Sequence, residues 1–139
     1  MIKRQSFPDI VRDNEDAIAQ AIADGRNIEA FLLFHGLLES LLRRFLKIDG
    51  DVRFIDLIRR YSDFLKSEGQ TNSGFVDELI KFNQRRNRII HQLWWRGYSE
   101  TNTRTRQAVN AAHLMYGLFI EWLETFDPNI VEAGLERDC

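Results

Sequence analysis

Residues 31–46 read FLLFHGLLESLLRRFL. Placed about 100° apart on a helical wheel, their apolar side chains cover most of the circumference. That is the pattern of a helix covered on nearly every side rather than one lying on a surface. Two polar residues, His35 and Glu39, interrupt it at i,i+4 spacing, on the arc that also holds Ile28, Leu32, Leu42 and Leu46. If this helix is central, the rest of the chain has to supply its cover. Helical spacing does recur on both sides, with no period-two alternation. The pattern predicts helices over 8–24, 27–48, 54–67, 74–94 and 102–126. Their limits are set by Pro8 after Ser6, by Gly25, by Asp49-Gly50-Asp51, by Glu68-Gly69 with the linker QTNSG, by Gly97 and by Asp127-Pro128. Short connections between long helices predict an all-α, antiparallel bundle of four to five helices. Residues 1–139 then form one domain with a core over about 7–126 and a peripheral tail over 128–139.

Composition narrows the classes of function. At 139 residues, 44% hydrophobic and 29% charged, the chain has ordinary globular proportions and enough length for a real core. Charges at Arg12, Asp13, Glu15 and Asp16 leave no apolar signal region near the start, and no run is long enough to span a bilayer. Cys139 is the sole cysteine, so an internal disulfide is excluded and a reducing cytoplasm is the simplest compartment. The net charge of −2 argues against a general polyanion binder. Yet Arg85, Arg86, Arg88, Arg96, Arg104 and Arg106 crowd into one region, which is either a local basic patch or a solvated face.

The fourth helix carries the puzzle, in NQRRNRIIHQLWW over 83–95. Phe75, Leu79, Phe82, Ile89 and Leu93 fall within roughly 80° of one another on the wheel, a core stripe. Arg86 falls inside that stripe. Asn83 and Asn87 lie on the broader apolar arc, with His91 at its edge one turn from Asn87. Arg85, Arg88, Gln84 and Gln92 point the other way. Burying a guanidinium without a partner costs several kcal/mol, so Arg86 is expected either to face a cleft or to meet a counter-charge. Glu39 on the central helix is the candidate partner.

The run Arg86-Asn87-Arg88-Ile89-Ile90-His91 resembles the signature of the HEPN superfamily: an arginine, a polar residue, then a histidine after four to six intervening positions. Arg85 also fits the spacing, but Arg86 is preferred because Asn87 then follows it. The motif sits late in a penultimate long helix of a small all-α chain, so the resemblance covers most of the sequence. It implies a helical bundle that dimerises with two motifs facing each other. It also implies a metal-independent endoribonuclease, often a toxin or defence RNase, with Arg86 and His91 carrying the activity. Other members are catalytically silent and bind a nucleotide or a partner protein. A nucleotidyltransferase-type antitoxin, a common partner in the family, would here be a separate chain.

The residues suit that chemistry. Metal-free RNA cleavage must deprotonate the 2′-OH, stabilise charge on the phosphate and protonate the leaving 5′-oxygen. A histidine can perform either proton transfer at neutral pH, and an arginine can clamp the non-bridging oxygens. Asn87 can orient His91 or the phosphate, while Glu39 and Asn83 support the arginine. One protomer offers one motif histidine, and a symmetric homodimer would offer two. Arg85 and Arg88 are candidate RNA contacts. Trp94 and Trp95 can stack on unpaired bases, or else pack at a helix end or dimer contact. No cofactor or metal is expected, because no Glu-x-x-His pairs, no phosphate-cradling glycine loop and no nucleophile elbow are present. His113, in an apolar helix, reads as a core or interface histidine.

Overall fold

The structure is a computed structural model that describes residues 6–69 and 74–126. Among these residues all regular secondary structure is helical: α1 (Phe7–Ala23), α2 (Asn27–Leu46), α3 (Phe54–Ser67), α4 (Gly74–Arg96), α5 (Tyr98–Arg104) and α6 (Arg106–Phe126). The all-α class stands, with one helix more than the sequence pattern predicts. The expected tail over 128–139 and most of the QTNSG linker lie outside the described residues. None of the described helices is long and apolar enough to cross a membrane.

The ends follow local chemistry. Ser6 caps α1, its Oγ accepting from the Asp9 N–H at 3.3 Å, and Pro8 sits where no intrahelical donor is needed. Gly25 leaves α1 at φ +73°, a conformation that favours glycine. The end of α2 differs from expectation. Lys47 already ends the helix in the left-handed conformation (φ 56°, ψ 48°), ahead of the Asp49-Gly50 pair, and the Ile48 N–H returns to the Arg43 carbonyl at 3.0 Å.

Helix α2 is central, packing against every other helix. Phe31, Leu38, Leu41 and Leu42 are wholly buried, and the core closes around them with Leu57, Tyr61, Leu79, Tyr116, Phe119 and Ile120. At one end Phe45, Tyr61, Phe119 and Trp122 stack in edge-on and offset pairs with centroids 5.0 to 5.9 Å apart, within the favourable range for aromatic contacts.

The extra helix, α5, has the sequence YSETNTR, too polar to show periodicity. Tertiary contacts hold it. Asn102 Oδ1 accepts the Ile28 N–H at 3.0 Å, and its amide donates to the Gly25 carbonyl at 2.8 Å. It thereby caps α2, whose own N-cap residue, Arg26, makes no side-chain cap. Tyr98 donates to the Glu29 carboxylate at 2.8 Å, which raises the phenol above its ordinary range. Buried Thr101 donates to the Gln92 carbonyl at 3.2 Å. These bonds fix α5 beside α4.

Candidate functional site

The polar row on α2 extends one turn beyond the sequence reading. His35, Glu39 and Arg43 stand at i, i+4 and i+8 along one face. Across from them α4 presents Asn83, Arg86 and Asn87. The segment from Asp51 to Ile55 closes a third side, and the whole encloses a cleft of about 480 Å³. Arg43 builds that third side by donating to the carbonyls of Gly50 (2.6 Å) and Val52 while pairing with Glu39 at 3.1 Å. A charged side chain thus staples the α2–α3 connection against the cleft.

His35 forms the floor. It is only 7% exposed and lies between the rings of Phe54 and Phe82, with centroids 4.5 and 5.3 Å away. Its Nε2 donates to Asn83 Oδ1 at 3.3 Å. Burial holds the imidazole below its ordinary value of 6.5; Arg86 pushes the same way, while the Asn83 bond and Glu39 oppose it.

Arg86 is half-buried on the cleft wall, and its Nη1 donates to Asn87 Oδ1 at 3.1 Å. The expected Glu39–Arg86 ion pair is not formed. Glu39 is taken by Arg43, an i,i+4 neighbour that needs no long-range fit. Among the described residues no carboxylate lies within ion-pair distance of Arg86. The arginine therefore faces a cleft, the other of its two expected solutions.

The rest of the motif lies further out than the wheel suggested. Asn87 and His91 are exposed. His91 is roughly 160° round α4 from the Phe82–Leu93 stripe, so the helices packed on that stripe do not reach it. Asn83, Arg86 and Asn87 line the cleft; His91 does not. Trp94 and Trp95 are 88% and 77% exposed, so neither is packed at the helix end against the described residues. Arg85 and Arg88 are exposed on the side of α4 that meets α5 and α6. His113 is not a core residue: it is exposed, with its ring stacked on Phe34 at 5.6 Å.

Sequence reasoning left Arg43 and the Asp51–Arg53 segment out of the site. The row His35-x3-Glu39-x3-Arg43 was a readable signal for the first, whereas the second needed the tertiary path of the connection. Among the described residues no group of three or more His, Cys, Asp or Glu is placed to hold a metal ion. Comparison of the chain with protein-family models, curated proteins and solved structures found no match.

Proposed function

We propose that the chain is a metal-independent endoribonuclease of HEPN type, acting as a homodimer with an antiparallel helical arrangement. The observation that carries this reading is Arg86. A half-buried guanidinium on a cleft wall, held by Asn87 and with no ion pair among the described residues, is a ready clamp for an anionic group. In this reading Arg86 holds the non-bridging oxygens of the scissile phosphate. His91, exposed one turn beyond Asn87, exchanges protons with the 2′-OH or the 5′-oxygen. Two protomers supply the two proton-transfer groups that the reaction needs. A toxin or defence role, held in check by a nucleotidyltransferase-type antitoxin, belongs to the same proposal and follows from the motif's resemblance alone; its cytoplasmic setting follows from the sole cysteine.

A second reading draws on a specific feature: His91 lies outside the cleft that Arg86 lines. A catalytically silent dimer would use that cleft, with Arg86 on a phosphate and Asn83 beside the base, to bind a nucleotide.

Incubating the purified protein with a mixed RNA pool in excess EDTA separates the two readings. Expected products carry a 2′,3′-cyclic phosphate or the 3′-phosphate from its hydrolysis, and DNA, lacking the 2′-OH, stays intact. Light scattering at tens of micromolar should give a dimer. Intact RNA would transfer the conclusion to the silent module, and a monomer would remove the two-histidine mechanism.

A further inference from the structure

The side of α4 away from the cleft holds a second concavity, a groove of about 750 Å³ between α4 and the α5–α6 junction. Four arginines line it: Arg85 and Arg88 from α4, Arg104 and Arg106 from either side of Thr105. Its lining contains no aspartate or glutamate. Arg104 is tethered to Glu100 at 3.0 Å, whereas Arg85, Arg88 and Arg106 make no ion pair among the described residues. On a chain of net charge −2, four guanidiniums from three helices converge on one concavity whose lining holds no acid. Holding like charges together carries a repulsive cost, which a polyanion in the groove would offset.

We infer that this groove carries the sugar–phosphate backbone of single-stranded RNA, with Arg85, Arg88, Arg104 and Arg106 on successive phosphates. The identity of the polyanion rests on the endoribonuclease reading; the binding surface does not. Two features favour a nucleic acid over an acidic protein. Trp95, 77% exposed, is seven residues beyond Arg88 and so shares its face of α4, where it offers a base-stacking plane beside the phosphate track. His91 falls between them at i+3 from Arg88, so a strand lying along Arg88, His91 and Trp95 passes the proposed acid/base group. Trp94, nearly on the opposite side of the helix from the groove, is left out of this path.

The test is anisotropy of a labelled oligoribonucleotide of about 12 nucleotides, long enough for a single-stranded site, bound to the His91→Ala protein over a range of salt concentrations. Single-strand contacts contribute about 0.7 each to the slope of log affinity against log salt, so Arg88→Gln/Arg106→Gln should flatten the slope by about 1.4 and weaken binding about tenfold near physiological salt. Each single substitution should give about half the slope change. Arg60→Gln on exposed α3 surface serves as the control and should change nothing. Groove variants indistinguishable from that control would overturn the inference. So would a polyglutamate peptide of matched charge that binds as tightly and is lost with the same substitutions, since the occupant would then be an acidic protein. If wild-type protein cuts no RNA yet binds it with this pattern, the groove stands and the nuclease reading fails. If RNA is cut while the groove variants match the control, the reverse holds.

Discussion

The two sides of α4 hold arginines in opposite circumstances. On the cleft side Arg86 is half-buried, fixed by Asn87 and near a buried imidazole, in surroundings where a charge interaction is strong and geometrically demanding. On the groove side Arg85 and Arg88 are exposed and free of ion pairs among the described residues, in water and salt where each contact is weak but several add. One helix thus presents a positioned charge to one face and a diffuse field to the other. The first suits action on a single phosphate and the second suits gathering a strand. Arginine count does not separate these roles; burial and partners do.

The largest effect expected among these arginines follows from that contrast. Arg86→Ala should lower kcat for RNA cleavage by about 10²–10³, the cost of losing a donor aimed at developing charge. Arg88→Gln/Arg106→Gln should instead raise KM and leave kcat nearly unchanged. Steady-state kinetics on one defined RNA checks both, and a kcat loss of equal size in the groove variant would erase the distinction.

Within the cleft the next effect belongs to Arg43. Arg43→Ala removes charge-assisted bonds to the Gly50 and Val52 carbonyls and should cost about 1.5–3 kcal/mol in denaturant melts. Glu39→Ala should cost only about 0.3–1 kcal/mol, because its bridge to Arg43 is a partly exposed i,i+4 pair. A double-mutant cycle should couple Glu39 with Arg43 and show simple addition for Glu39 with Arg86.

His35 gives the pH signature. Its folded value lies below 6.5, so the unfolded chain binds the proton more readily. The stability tied to this group is complete above pH 6.5 and is lost as pH falls from there through the folded value. His35→Gln should flatten the stability–pH curve in that window, as measured by urea titrations at several pH values. An unchanged slope would mean that His35 is not buried as a neutral group.

What could be read beforehand divides along physical lines. The central helix, the boundaries of α1 and α3 and the core stripe of α4 were legible because burial writes a 3.6-residue period into the sequence. Helix α5 was not, since Asn102 and Tyr98 stabilise it through α2 rather than through an apolar face. The depth of each motif residue was legible only in part. Arg86 and Asn83 do fall on the inner side of α4, but a wheel cannot tell how far neighbouring helices wrap, and Asn87 and His91 lie beyond that wrap. The i,i+4 spacing of Glu39 and Arg43 is itself a readable sign of their pairing, whereas the sequence reading looks only across the core, to Arg86. Arg104 and Arg106 were noticed as a cluster, but only the fold sets them against Arg85 and Arg88.

The most direct measurement is RNA cleavage by the wild-type and His91→Ala proteins side by side, in excess EDTA, with helix content and dimerisation recorded for both. Because His91 is exposed, its removal leaves packing intact, so lost activity cannot be ascribed to lost fold. The expected result is cleavage by the wild type and a loss of about 10²–10⁴ in rate for His91→Ala, with circular dichroism and molar mass unchanged. Undiminished cleavage by His91→Ala, or cleavage that disappears with the chelator, would contradict the mechanism.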